Sequence, residues 1–380
     1  MQFDLTGRDA EIAALARQVA KDVLQPQAAA TDAGQFPADN LRALGTTGLL
    51  GIKIRKEYGG LQAGNVAYVA AIRELAGVCA STAVTVAVTN MVADMIQLYG
   101  REDQRQRHLP QLTSGTYLAG AFALSETGAG SDAAALRTRA ERDGDTWTLN
   151  GSKMWITSGD VAGVTLVMAR TDATKGSRGI TAFLVEPGTP GFEIGRHEEK
   201  LGLRGSSTVA LSFVDCRLPD SARLGQEGQG FEIAMTALDG GRCGIGGQAL
   251  GMGYRVLAES ARHLEARKIA EKAVGTEQNS QFRLADMAMR LDAAWLMVLR
   301  AAWLRDQGKK MSREAAMAKV MATEAGDFAA KTAMQLVGAA ALDARHPVAR
   351  ALRDVRVSRI YEGTSEIQRL VIARSLAASV

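Results

Sequence analysis

The chain has 380 residues, 47% of them hydrophobic and 23% charged, with a net charge of +4. That length supports a large core divided over two or three domains, and the balance is that of a soluble globular protein with no basic block to favour nucleic acid. Cys79, Cys216 and Cys243 lie far apart with no C-x-x-C pair, which excludes a zinc knuckle or disulfide framework and suggests a reducing, cytoplasmic setting.

The first third reads helical. Asp4, Arg8, Asp9 and Glu11 in the opening turns are unlike a secretory signal peptide. Ile12, Leu15, Ala16, Val19 and Val23 recur at helical spacing, and Pro26 is expected to end that run. Phe36-Pro37-Ala38-Asp39 reads as a helix start, and Gly59-Gly60 as a turn. Residues 75–93 are uncharged and long enough to span a bilayer. Gly77, Ser81, Thr82, Thr85, Thr89 and Asn90 within them favour a buried soluble helix, so no membrane association is expected.

The texture changes near residue 118. Residues 146–149, 164–168, 180–185 and 209–214 are short runs rich in β-branched and aromatic side chains, separated by turns such as Asp143-Gly144, Asn150-Gly151 and Pro187-Gly188. They predict a small antiparallel β-domain with a barrel-like arrangement. Helical texture returns near Gly230. There, Phe282, Leu284, Ala285, Met287, Ala288, Leu291 and Trp295 fit a buried helix stripe. The order helices, strands, helices argues for segregated layers rather than a doubly wound sheet. The expected domains are 1–117, 118–225 and 226–380.

Several motifs can be set aside. Gly244-Ile245-Gly246-Gly247-Gln248-Ala249 matches a dinucleotide fingerprint, but it lies in helical rather than strand-turn-helix context, where closely packed helices explain the small residues better. His108, His197, His263 and His346 have no ligand spacing, so no metal is expected. No Walker loop or G-x-S-x-G elbow is present.

Four segments carry chemistry. Residues 123–132 (ALSETGAGSD) are either a polar turn after a strand or a loop whose bare backbone N–H groups approach an anionic or heteroaromatic ligand. Trp155-Ile156-Thr157 is either a half-buried strand end or an indole and hydroxyl set against a flat ring. Asp239 and Arg242 are i, i+3 neighbours, so Arg242 is either a surface charge or a paired arginine beside a carboxylate. Tyr361-Glu362-Gly363-Thr364-Ser365 places one carboxylate beside a glycine and two hydroxyls, a solvated cap in isolation.

In this order and spacing, residues 123–132, 150–159 and 361–365 resemble the acyl-CoA dehydrogenase family of flavoenzymes. Residues 200–207, 213–217 and 284–289, with Arg353-Asp354, extend the likeness over nearly the whole chain. The resemblance implies a mostly α fold with a central β domain: an N-terminal helical domain, a middle antiparallel β-barrel and a C-terminal four-helix bundle. It also implies FAD, a homotetramer, fatty acid metabolism and electron transfer to electron-transfer flavoprotein.

Carried over by position, Glu362 is the catalytic base. Phe122, Leu124, Ser125, Gly130, Ser131, Trp155, Ile156 and Thr157 line the flavin, with Ser125 and Thr157 bonded to its ring and Ser131 also touching the CoA arm. Asp239, Gly240, Gly241, Arg242 and Gly363 border the acyl-CoA substrate. Thr364, Ser365 and Glu366 meet the FAD diphosphate region, while Arg267, Gln278, Gln335, Gly338 and Ala339 reach FAD from a neighbouring subunit. In relatives Glu362 takes the α-proton of the thioester while flavin N5 accepts the β-hydrogen, and the glutamate N–H with a ribityl hydroxyl polarises the carbonyl. Members acting on isovaleryl or long-chain groups carry their base next to the arginine; here that residue is Gly241, as in short-chain and short-branched-chain members. The sequence departs from the family pattern at Ala270 and Glu271, at Ala339, Ala340 and Ala341, and at Thr127. These departures predict weaker FAD retention. Those at 270, 271 and 339–341 keep open a non-catalytic FAD-poor subunit; a carrier-bound or unusual acyl substrate and an oxidase are further alternatives.

Overall fold

The computed structural model describes residues 4–377. The N-terminal helices are α1 (Gly7–Val19), α2 (Gln25–Asp32), α3 (Ala38–Thr46), α4 (Asn65–Ala76), α5 (Ala80–Tyr99) and α6 (Glu102–Thr113). Pro26 does not end the first run. A π-helical turn, Ala20–Leu24, joins α1 to α2, and Pro26 sits at the start of α2, where a missing N–H is tolerated.

Every residue of α5 from Ala80 through Ile96 is buried. The polar side chains that argued against a bilayer are its hydrogen-bonding groups. Asn90 Oδ1 accepts from Ile52 N at 2.8 Å, and its Nδ2 donates to Leu49 O at 3.0 Å. Thr89 Oγ1 accepts from Gly120 N at 3.2 Å. Among the described residues no helix is long and apolar enough to cross a membrane.

The strands are β1 (Ala119–Ala123), β2 (Arg139–Asp143), β3 (Thr146–Thr157), β4 (Ala162–Arg170), β5 (Ile180–Val185), β6 (Phe192–His197), β7 (Thr208–Pro219) and β8 (Arg223–Leu224). They form one sheet in the order β6-β7-β3-β2-β4-β5-β8, with β1 beside β4. The barrel-like expectation needs two corrections: the strand path does not close on itself, and β4 pairs parallel with β1 and β2. Those pairings arise because both strands reach β4 through long connections rather than hairpins. Asn150-Gly151 is not a turn but a bulge inside β3, with Gly151 at φ 148° and the β7 register shifting between Leu149 and Gly151. The β-domain has its own core around Trp147, Phe183 and Phe213, with Trp147 edge-on to Phe183 at 5.3 Å.

The chain then forms α7 (Gly230–Ala266), a small hairpin of β9 (Lys268–Ile269) and β10 (Lys272–Ala273), and helices α8 (Gln278–Asp306), α9 (Ser312–Val337), α10 (Pro347–Arg356) and α11 (Ser365–Ala377). The mostly α fold with a central β domain is as expected. The α8 stripe is shifted: Met287, Leu291, Ala294 and Val298 are buried, whereas Phe282 and Ala285 face out. Both have helical periodicity, so the sequence alone does not say which face meets α7 and α9.

One buried ion pair ties the loop after β1 to the middle of β3. Lys153 Nζ donates to Glu126 Oε1 at 2.8 Å and to Leu124 O at 3.1 Å. Glu126 also accepts from Arg137 N at 2.6 Å and Thr138 N at 2.9 Å. Burial pushes the Lys153 ammonium down to about 8 against the pull of Glu126. Burial also pushes the Glu126 carboxyl up, but the Lys153 charge and these hydrogen bonds outweigh it and hold Glu126 below its ordinary range. Removing one partner of such a pair strands the other. Lys153→Met is expected to cost about 3–5 kcal/mol in a urea titration, with Lys153→Met/Glu126→Gln recovering part of the loss. A loss in the double variant equal to the sum of the Lys153→Met and Glu126→Gln losses would show that the pair is not coupled.

Candidate active site

Glu362 lies in a left-handed turn between a 3-10 turn (Val357–Arg359) and α11, with φ 53° at Glu362 and 94° at Gly363. A non-glycine residue there costs about 1–2 kcal/mol, so the surroundings must impose it. Both turn carbonyls are held. Gln368 Nε2 donates to Glu362 O at 3.1 Å and to Gly363 O at 3.2 Å, and Lys319 Nζ donates to Gly363 O at 2.7 Å.

The turn presses the Glu362 carboxyl against α7 at Gly241, where an added Cβ would overlap it. An added Cβ at Gly240 would strike the Arg305 guanidinium, and one at Gly244 the Tyr68 hydroxyl. These glycines therefore strip one face of α7 to bare backbone so that three long side chains can lie on it. Close helix packing, rather than nucleotide binding, explains the glycine-rich run.

Glu362 Oε2 is enclosed and has no hydrogen-bond partner among the described residues. Burial pushes its carboxyl up to about 7, against the opposing charges of Lys319 and Arg242. Arg242 is 6% exposed; its Nη1 meets Asp239 Oδ1 at 2.5 Å, and its Nε is buried without a partner. Asp239 also accepts from Ser312 Oγ. Below Glu362, the Tyr361 hydroxyl meets Gln248 Oε1, and Gln248 Nε2 donates to Ala80 O at 3.0 Å. Asp239, Gly240, Gly241, Arg242, Glu362 and Gly363 are thus brought together as expected. Lys319, Gln368, Tyr68 and Gln248 join them without having been anticipated. Lys319 carries a usable signal, a lone charge among the buried alanines 315, 316, 318 and 322.

A second group surrounds the end of β3. The β3–β7 register shifts between Lys153 and Ile156, and Trp155 has φ 62°. This bulge turns the indole outward, leaving Trp155 56% exposed. Met154 N donates to Ser125 O at 3.0 Å, joining this strand to the loop after β1. Phe122, Ser125 and Thr157 are half-buried, Leu124 and Ile156 buried, and Gly130 and Ser131 exposed. Nothing lies within 4 Å of a Cβ added at Gly128 or Gly130, so the loop backbone is open to an incoming group. An exposed indole, hydroxyls and bare loop backbone suit a flat ring with polar edges. At the start of α11, Thr364 is half-buried and Glu366 exposed, while Ser365 Oγ is buried and unpartnered. A helix start with an orphaned hydroxyl suits an anion.

A third group, Arg267, Gln278, Gln335, Gly338 and Ala339, gathers where α7 and α9 end and α8 begins. All are exposed except half-buried Gly338, and Gln335 accepts from Arg283. The helical rise from Gly241 to the end of α7 amounts to roughly 35–40 Å. The third group is therefore not brought to Glu362 within one chain. Beside it, Ala270 (φ 47°) and Glu271 (φ 63°) form a left-handed hairpin turn that glycine would fit with less strain.

Comparison with known proteins identifies the family. Residues 6–116, 121–216 and 228–377 match the N-terminal, middle and C-terminal domains of acyl-CoA dehydrogenase. The chain is 44% identical over 365 residues to the mitochondrial short-chain specific acyl-CoA dehydrogenase of Homo sapiens, covering 96% of this chain and 88% of the relative. It is 41% identical over 379 residues to the acryloyl-CoA reductase (NADH) of Anaerotignum propionicum, covering 99% and 96%. The solved butyryl-CoA dehydrogenase of Megasphaera elsdenii superposes with a TM-score of 0.96 at 38% identity, covering 99% of this chain and all of that one. With three domain matches in sequence order and this identity over nearly its whole length, the chain belongs to the acyl-CoA dehydrogenase family of FAD-dependent oxidoreductases.

Proposed function

We propose that the protein oxidises a short acyl-CoA to its trans-2-enoyl thioester, with Glu362 as the base. The observation that carries this reading is half-buried Glu362, whose Oε2 sits on bare α7 backbone, enclosed and unpartnered, with the carboxyl's acidity drawn toward neutrality. Near neutral pH such a carboxylate can accept a proton. The Glu362 N–H has no acceptor among the described residues and remains available to polarise a thioester carbonyl. Arg242, fixed by Asp239, adds positive potential where enolate charge develops. FAD, when bound, would supply the two-electron acceptor for the β-hydrogen; Glu362 takes the α-proton, and the two losses together leave the carbon–carbon double bond. Phe122, Leu124, Ser125, Gly130, Ser131, Trp155, Ile156 and Thr157 would hold the flavin ring, and Thr364, Ser365 and Glu366 its diphosphate.

A short acyl group is supported by Gln248. Fully buried and bonded to both Tyr361 and α5, it plugs the space between α5 and α7 about 10 Å along α7 from Gly241. A second reading is reduction of an enoyl-CoA. The same carboxyl, poised near 7, would be protonated often enough to return the α-proton, and one relative is named as a reductase.

The exposed face of α8 carries Phe282, Met289 and Leu296 at seven-residue spacing, 63%, 62% and 42% exposed. This stripe supports a helix-to-helix contact between copies, and hence the homotetramer in which the Arg267 group would complete a neighbour's FAD site. Electron-transfer flavoprotein as acceptor, fatty acid metabolism as the setting and the cytoplasm as the location complete the proposal.

Glu362→Gln is expected to abolish anaerobic bleaching of the flavin by butyryl-CoA; bleaching at the parent rate would reject the base. Because folding raises the Glu362 pKa from 4.5 to about 7, the folded state binds the proton more tightly across that interval. Burying the carboxylate therefore lowers stability above pH 7, and this cost fades as the pH falls toward 4.5. Glu362→Gln should be about 1–3 kcal/mol more stable than the parent at pH 8, with the gain vanishing near pH 5. For the subunit contact, Met289→Glu is expected to sediment as smaller species than the parent, and an unchanged size would rule out the α8 stripe. Glu271→Gly is expected to lower the FAD Kd; an unchanged Kd would clear the hairpin of weakening FAD retention.

A further inference from the structure

Building on the dehydrogenase reading, we propose that Lys319 is a positioning residue for Glu362: it anchors the left-handed turn through Gly363 O and keeps a positive charge without an ion-pair partner one residue from the base. Three observations carry this. Lys319 is fully buried, although it sits on an alanine-rich face of α9 that would pack more cheaply with an apolar residue. Among the described residues its ammonium finds one hydrogen-bond acceptor, Gly363 O at 2.7 Å, and no ion-pair partner. That acceptor is the carbonyl following Glu362, in a turn whose strain requires external restraint.

The other charged and titratable groups around Glu362 do not fill this role. On α7, Arg242 is offset by Asp239 at 2.5 Å, and the Cys243 thiol is pushed up to about 12 by burial. On α4, burial and then the Glu362 charge hold the Tyr68 phenol above its ordinary range, so it stays neutral. On the segment of Glu362 itself, burial holds Tyr361 above its ordinary range, and Arg359 is paired with Asp327 at 3.2 Å and Glu324 at 3.6 Å. Glu366, beyond the turn, is exposed. Lys319 is thus the cation facing Glu362 without a carboxylate of its own. Burial pushes Lys319 down to about 8 while the Glu362 charge pulls it back up, the reciprocal of what Lys319 does to Glu362.

The two parts of the role separate by substitution. Lys319→Gln keeps an amide donor for Gly363 O but removes the charge, Lys319→Met removes both, and Lys319→Arg keeps the charge. The titration of Glu362 is read in the FAD-loaded, substrate-free protein by infrared spectroscopy, the protonated-carboxyl band being identified by its loss in Glu362→Gln. Lys319→Gln and Lys319→Met are expected to raise the midpoint by about one pH unit or more, because the cation favours the carboxylate, while Lys319→Arg leaves it near the parent value. The pH profile of butyryl-CoA bleaching should shift upward in step, and Lys319→Met should also lose about tenfold or more of its limiting rate at high pH, with Lys319→Gln losing less. An unmoved midpoint in both Gln and Met variants would overturn the proposal. So would failure of all three variants to fold, since that would mark the lysine as structural. If no acyl-CoA bleaches the parent protein but the infrared midpoint still shifts, the dehydrogenase reading fails and the Lys319–Glu362 coupling stands.

Discussion

A carboxyl pressed onto the bare backbone of a long helix is the contact on which the rest of the site depends. Seating Glu362 there requires Gly241 to lack a side chain, a left-handed turn at Glu362 and Gly363, and hydrogen-bond donors to hold the turn's two carbonyls. The parts come from three elements: α7 supplies the glycine, and α9 and α11 supply the two donors, Lys319 and Gln368. The cost is an enclosed oxygen without a partner and a carboxyl displaced from its ordinary range. Destabilisation of this kind is what a base held ready for a substrate proton requires.

The remainder of the fold gives that contact its setting. α5 is the shared wall, bonded to β1 through Thr89 and to α7 through Gln248, so the β-domain and the helical layer are fixed to one rigid element. Lys153 and Glu126 fasten the loop after β1 to β3, and the neighbouring bulge turns Trp155 outward. The acyl-CoA dehydrogenase chemistry needs a carboxyl and a flavin ring held in fixed relation, and rigid elements meet that need better than free loops.

Much of this was legible in the sequence, for identifiable reasons. The strand runs, the helical context of the Gly244 motif and the Asp239–Arg242 pair are local patterns, and all appear as expected. Local patterns misled where a backbone irregularity intervened. The π turn carried the helix past Pro26, and a bulge absorbed Asn150-Gly151. Phe282 has the right spacing for a buried stripe but faces out, because period alone does not choose the covered face. Lys319, Lys153 and Gln248 were invisible as partners because what they touch lies tens of residues away in sequence. The Arg267 group was readable only through family resemblance, since one chain does not bring it to Glu362.

The central claim is that a Glu362 oxygen exchanges a proton with the carbon next to a thioester. The most direct measurement is deuterium incorporation at the α-carbon of a thioester that cannot be oxidised further, incubated in D2O with the FAD-loaded protein. Exchange by the parent protein and none above background by Glu362→Gln is the predicted result. Exchange by Glu362→Gln at the parent rate would place the base elsewhere and contradict the account.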